Sequence, residues 1–408
     1  MPETVSAAVQ KLRSTETIRE RCTQILALGR AGRLSHFAVH DERLHPCADY
    51  VARVIRENYP SLSVPVHSRW RHFDVGGVER VASLNPALTT DAIERARAYI
   101  DLAVTSVLLD AGAGAAWKYH ERESSKTFVR SEGLAVASFR MFEHGAFSSV
   151  DGHPLRADAA GLQGLTISRL RDGFQVGDDN PLEGVEGRDS LLRGLGRACA
   201  SRPDLFGKDG RPGGLIDTIL ATGARKIAAP DVLRYVLDGF SSIWPGRVEL
   251  DGQNLGDVWP HSALSGPEPG DRLVPFHKLS QWLTYSLLEP LAVAGIEVTD
   301  LHRMTGLPEY RNGGLLIDLG VISPRDPSLL VRASAPSDEA IVEWRALTVA
   351  LLDELYPLVR AEVGLAAEKF PLASMLEGGT WAAGRKIAAA SRPGGVPPIQ
   401  IQSDGTVF

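Results

Sequence analysis

The chain has 408 residues and a formal net charge of −6, with 44% hydrophobic, 23% charged and 7% aromatic residues. These values exclude a disordered chain, a collagen and a membrane bundle, and the mild acidity argues against a nucleic-acid binder held by a basic face. Glycine (40) and proline (25) are in excess, at about 16% of the chain against about 12% on average. That excess belongs in loops, which carry function on a rigid scaffold.

In chain order, Pro2–Ala31 reads as one or two amphipathic helices on Val5, Val9, Leu12, Ile18, Cys22, Ile25 and Leu26. Its mixture of charged and small residues contains no long apolar region, so no secretory signal is expected. Residues 48–58 read as a helix ended by Tyr59-Pro60. Thr90 is expected to cap a long helix carrying Ile93, Ala96, Ile100, Val104, Val107 and Ala111, closed near Gly112–Gly114. Pro230 suits the first turn of a helix ending near Gly239. A further helix starts at Ser337-Asp338-Glu339, with Pro357 expected beyond its end. Strand signals are few: Val248–Gly252, and Pro398–Gln402 followed by a turn at Ser403–Thr406. The residues therefore predict a mainly α protein with a small accessory β element, in one large helical domain over 1–408. An N-terminal helical part of about 1–150 is expected to pack on a catalytic part of about 151–408.

No run approaches the roughly 18 apolar residues of a membrane span. Cys22, Cys47 and Cys199 are far apart, without a CxxC pair, so they read as buried thiols in a reducing, cytoplasmic compartment. His261, His277 and His302 have irregular spacing and no HExxH, so scattered histidines are expected rather than a metal site. Neither Gly76-Gly77 nor Gly112-Ala113-Gly114 completes a phosphate-loop pattern. Ser131-Glu132-Gly133 is not a GxSxG elbow.

Several polar groups stand out. Glu132 and Arg140 lie two turns apart on one face of an apolar helix, as a structural ion pair or as a pocket wall. Lys278 begins a helix that is apolar on most faces, where the dipole disfavours a cation. It is either paired with a carboxylate or anion, or snorkels to the surface. Glu309 and Arg311 sit in a Gly/Pro/Asn turn, meeting a ligand or simply solvated. Glu377–Lys386 brings glycines, Trp381, Arg385 and Lys386 together, as a phosphate site or as an ordinary terminal loop. Arg69–Phe73 has a similar aromatic–cationic character.

The stretches SRWRHFDVGG (68–77), FVRSEGLAVASFRMFEHGAFSS (128–149), PFHKLSQWLTYSLLEPL (275–291), TGLPEYRNGGLLIDLGV (305–321), GGTWAAGRKIA (378–388) and SRPGGVPPIQIQSDGTVF (391–408) resemble the uracil catabolism protein family, first met in fungal uracil utilisation and with bacterial members. The resemblance covers essentially the whole chain. A more distant likeness links Phe276-His277-Lys278 and Glu309-Tyr310-Arg311…Leu319-Gly320-Val321 to the queuosine-salvage nucleoside glycohydrolases. There the matching acid is typically Asp rather than Glu. That likeness implies a body similar to helix-hairpin-helix DNA glycosylases.

Together these resemblances imply an N-glycosidic hydrolase that releases urea from ribosylurea or its 5-phosphate. The implied catalytic residues are Glu309, on the sugar face, Lys278 beside it, and Asp318 as a second acid. Arg311, Arg385 and Lys386 would meet a phosphate, and Trp70, Trp282 and Trp381 would wall the pocket. Tyr310, His277, Arg71, Glu132 and Arg140 complete the substrate-binding set. The expected partner is a small nucleoside- or nucleotide-derived molecule, without a cofactor, metal, nucleic acid or membrane. The alternatives are a non-catalytic nucleotide-binding protein and a metal-independent ureide C–N hydrolase.

Overall fold

Short polar side chains set where the main helices begin. The Ser14 hydroxyl accepts the Thr17 amide at 3.1 Å and starts helix Thr15–Arg30. Asp91, rather than the expected Thr90, caps Ala92–Leu108, because its carboxylate reaches the Ile93 amide at 2.9 Å. The structure, a computed structural model, describes residues 5–402 apart from 86, 87, 89, 245 and 246. The expected turn at Ser403–Thr406 lies outside the described residues.

Helices dominate, as the periodicity predicts. Residues 7–30 form two helices, Ala7–Leu12 and Thr15–Arg30, and Ala229–Phe240 carries Pro230 in its first turn. Helix Leu44–Asn58 ends where expected. One expected boundary moves: Pro357 lies inside helix Glu339–Val363. A proline in a helix interior costs roughly 3 kcal/mol. The apolar stripe continues past it through Val359 and Val363, both buried, and that burial carries the helix on to Gly364, which is left-handed at φ 73°.

Among the described residues the β structure consists of six two-stranded pairings rather than one element. The expected strand at 248–252 is a hairpin, Glu249–Leu250 against Gln253–Asn254, turning through Asp251 and Gly252 at positive φ. Gln400–Ile401 runs parallel to Ala333–Ser334.

Packing divides the chain into two compact units interleaved in sequence. Among the described residues, the first comprises 5–67, 247–281 and 300–402; the second comprises 68–244 and 282–299. In the first unit, Glu339–Val363 is buried between Thr15–Arg30 and Leu44–Asn58. Phe37–Val39 pairs antiparallel with Ile322–Pro324, and Val258–Pro260 with Leu273–Pro275, the latter leading into helix Lys278–Ser286. In the second unit, Ala92–Leu108 is buried from Ala98 onward and packs on Arg130–Glu143 and Leu288–Val293. Lys226–Ala228 lies parallel to Glu297–Thr299.

Among the described residues no helix is long and apolar enough to cross a membrane. No group of three or more His, Cys, Asp or Glu side chains could hold a metal ion among them. The three cysteines are buried, as expected.

Candidate functional site

In the first unit, a turn and two helix starts gather the candidate residues. Glu309 is the N-cap of helix Tyr310–Asp318, and its carboxylate accepts the Arg311 amide at 2.7 Å and the Asn312 amide. The Asn312 side-chain amide donates to the Leu307 carbonyl at 2.9 Å, closing the turn behind it. Gln281 ties this turn to helix Lys278–Ser286: its Nε2 donates to Thr305 Oγ1 at 2.8 Å and to the Phe276 carbonyl at 3.0 Å. Lys278 and Glu309 are 8% and 7% exposed. The charge of the buried Lys278 acts on the Glu309 carboxylate. Burial pushes the Glu309 carboxyl above the ordinary carboxylate range, against the opposing pull of the Arg311 and Asn312 amides and of the Lys278 and Arg311 charges.

The lysine start is held by residues outside every sequence motif. Asp257 Oδ2 accepts the Lys278 amide at 3.0 Å, while Arg345 grips the same carboxylate from two nitrogens at 2.7 and 2.8 Å. Trp259 Nε1 donates to Asp257 Oδ1 at 2.7 Å. Burial alone would raise the Asp257 carboxyl, but Arg345 and these donors hold it well below the usual range. A carboxylate at the N-terminus offsets the dipole that disfavours Lys278 there. The Arg345 guanidinium also lies 4.1 Å from the centroid of the Phe276 ring. His277, at φ 47°, sends Nε2 to the Leu12 carbonyl at 3.0 Å, and burial lowers its imidazole to about 4. It is a neutral donor to the backbone at this chain bend.

The glycine–tryptophan segment is a π-helix, Met375–Trp381, running into helix Ala382–Ser391. Gly378 and Gly379 let it approach Leu44–Asn58 and the chain after it: a Cβ on Gly378 would lie 2.5 Å from Val64 Cγ1, and one on Gly379 2.9 Å from Val51 Cγ1. Both Tyr310–Asp318 and Leu44–Asn58 pack on this segment. A Cβ on Gly384 would fall 2.2 Å from the Arg311 carbonyl oxygen, so the first turns of Tyr310–Asp318 and Ala382–Ser391 touch at the backbone. The Arg385 guanidinium lies 4.8 Å from the Trp381 centroid, and that of Arg311 5.1 Å from the Tyr310 centroid. Arg311 also donates to the Gly395 carbonyl at 2.8 Å. Glu377, on the π-helix, meets His67 Nδ1 at 2.5 Å, and the His67 ring lies 6.0 Å from that of Trp381. The motif reading missed this pair, although His67 immediately precedes the 68–77 stretch and Glu377 immediately precedes the 378–388 stretch.

Two expected members of this set are engaged elsewhere in the same unit. Asp318 stands at the far end of Glu309's helix and forms a two-pronged ion pair with Arg392 at 2.7 and 2.6 Å. Eight residues at 1.5 Å each separate the two ends by about 12 Å. Lys386 pairs with Glu57 on the surface.

The remaining candidates lie in the second unit. Trp70 packs edge-on to Phe73 and Tyr99 and donates from Nε1 to the Ser286 carbonyl at 2.7 Å, the behaviour of a core residue. Arg71 forms a partly exposed pair with Glu289 at 3.1 Å. Arg140 does not pair with Glu132. It binds Glu121 at 2.7 Å and Glu143 at 2.6 Å, and Glu121 is shared with Arg80. Glu121 is fully buried, and Arg80 and Arg140 neutralise its charge in the interior. Trp282 lies beside His72 and Arg69, with ring centroids 5.7 Å apart for the histidine. Glu132 acts electrostatically on Arg69. Arg69 binds Asp110 at 2.9 Å, and the Ser131 hydroxyl donates to the same carboxylate at 2.7–2.8 Å.

Comparison with known proteins agrees with the long shared stretches. Residues 11–408 match the family described as "Protein of unknown function (DUF1688)". "Uracil catabolism protein 4" of Lachancea kluyveri is 41% identical over 441 residues, covering 99% of this chain and all of that protein. "Protein urg3" of Schizosaccharomyces pombe is 41% identical over 410 residues, covering 98% of this chain and 99% of that one. Matched along nearly its whole length, the chain belongs to the DUF1688 family, together with these fungal proteins.

Proposed function

We propose that this protein acts in uracil catabolism as an N-glycosidic hydrolase, releasing urea from ribosylurea or its 5-phosphate. The pathway is supported by the name of one full-length relative, "Uracil catabolism protein 4". The reaction class rests on one observation: a buried carboxylate, Glu309, with its proton affinity raised, under the charge of a buried lysine at a helix start. Hydrolysis of a C1′–N bond passes through a cationic, oxocarbenium-like sugar. Glu309 stabilises that cation and takes a proton from the attacking water. A carboxylate offers about four lone-pair positions, and the Arg311 and Asn312 amides use two of them, so the cap fixes the group while positions remain for water and sugar. Lys278 keeps the carboxylate ionised or holds a ribose hydroxyl. Arg311 and Arg385 are the cations for a phosphate; Lys386 and Asp318 are committed to ion pairs of their own.

The capping geometry also favours a second reading, in which Glu309 is only structural and the protein binds a nucleotide without turnover. Product analysis decides. Purified protein supplied with synthetic ribosylurea, with and without the 5-phosphate, is expected to release urea and the free sugar in equal amounts. Tight binding without urea release would establish the binding-protein reading instead. Release of ammonia with the sugar bond intact would point to a ureide C–N hydrolase. Replacing Glu309 by Gln keeps a capping oxygen and is expected to lower turnover by about a hundredfold or more. An unchanged rate removes Glu309 from the chemistry.

A further inference from the structure

Urea is a poor leaving group as an anion, so cleavage at C1′ needs a proton delivered to the departing nitrogen. Glu309 is committed to the sugar and water side, which leaves that proton without a source. The first unit holds a second buried acid–base pair. His67 Nδ1 and a Glu377 oxygen are 2.5 Å apart, with the two side chains 7% and 8% exposed. A carboxylate only accepts, so Nδ1–H donates to Glu377, and Nε2 is the nitrogen through which the ring exchanges protons. This is the arrangement by which a carboxylate fixes the tautomer and orientation of a working imidazole and stabilises its protonated form.

The placement of the pair is costly, which argues that it serves a purpose. Burying a histidine–carboxylate pair contributes little net stability. Here the carboxylate rides on a π-helix, a rare element that recurs at functional sites, and two adjacent glycines seat that element against Val64 and Val51. The His67 amide is anchored to the Ala373 carbonyl at 3.0 Å, just ahead of the same segment. The π-helix packs on Tyr310–Asp318, the helix capped by Glu309, and ends at Trp381, one turn before Gly384 meets Arg311. The element that carries Glu377 therefore packs on the helix that Glu309 caps.

We propose that His67, with Glu377 as its positioning partner, is the general acid that protonates the departing urea nitrogen. This rests on the glycosidase reading and extends it. In the step, the C1′–N bond breaks and its electron pair goes to nitrogen, which takes the proton from His67 Nε2, so urea leaves neutral. Water forms the new C1′–O bond and gives its proton to the Glu309 carboxylate. That proton returns through solvent to His67, and one water is consumed per urea released.

The test compares leaving groups. Ribosylurea needs a proton on its leaving nitrogen, whereas nicotinamide riboside loses a neutral nicotinamide without one. His67→Asn and Glu377→Gln are expected to cut kcat on ribosylurea by about a hundredfold or more, with KM changed far less. On nicotinamide riboside the same variants are expected to lose much less, while Glu309→Gln loses rate on both. Equal losses on the two substrates, or no loss on ribosylurea, would overturn the role of His67. Should wild-type protein not accept nicotinamide riboside, His67→Gly decides, because added imidazole is expected to restore ribosylurea turnover, and no restoration overturns the proposal. Failure of wild-type protein to release urea at all would instead sink the glycosidase reading beneath it.

Discussion

Asp257 holds the start of the lysine helix from several sides at once: the Lys278 amide, the Trp259 indole and the Arg345 guanidinium all donate to its carboxylate. Removing the charge takes from Arg345, itself 1% exposed, the carboxylate that it grips through two nitrogens. Asp257→Asn is therefore expected to cost about 3–5 kcal/mol of stability in urea unfolding. Because the folded state holds this carboxyl below its ordinary value, its stabilising contribution is complete above the unfolded pKa of about 3.9 and is lost as pH falls below that. His277 acts in a neighbouring window. Its imidazole is lowered from 6.5 to about 4 by burial, so between those values the unfolded chain binds a proton that the folded chain does not. Stability is expected to fall as pH drops across that interval. His277→Asn, with a residue that tolerates the positive φ, should flatten this slope when unfolding is followed at a series of pH values. A slope identical to wild type would assign the acid sensitivity elsewhere.

At the scale of elements, backbone contact between two helix starts sets the geometry of the site. Gly384 stands where any side chain would enter the Arg311 carbonyl. Gly384→Ala must push the two helices apart, with an expected cost of roughly 1–3 kcal/mol or more, read as a lower Tm. Turnover should fall with it, because Arg311 and the Glu309 cap share that turn. The glycine excess noted in the sequence thus has a definite use in this segment. It permits close approach here and at Gly378 and Gly379, rather than loop flexibility. Pro357 shows the opposite lesson: a strong local stop signal gives way when the apolar stripe beyond it is buried. Periodicity marked the long helices, because their buried faces repeat every three or four residues. It could not mark the π-helix, whose wider turn follows from packing rather than from spacing.

For the molecule as a whole, the odd cysteine count resolves into three buried thiols. Burial raises all three, Cys47 to about 12, which suppresses the reactive thiolate. A thiol reagent such as DTNB is expected to label none in native buffer and all three in denaturant. Rapid labelling of the native protein would show that a buried segment opens. The sequence by itself determined the helical class, the buried cysteines and the family, together with the short-range candidates Lys278 and Glu309. Helix caps, tight turns and apolar repeats act over a few residues, so they can be read in one dimension. Only the tertiary structure decided which charges are spent on each other. Asp257 and Arg345 are 88 residues apart in the chain, and His67 and Glu377 are 310 apart. Asp318 is withdrawn by Arg392, 74 residues further along the chain, and Arg140 by Glu121, 19 residues before it. A buried charge takes whichever partner the packing brings to it, because leaving it unpaired costs more than any local preference is worth.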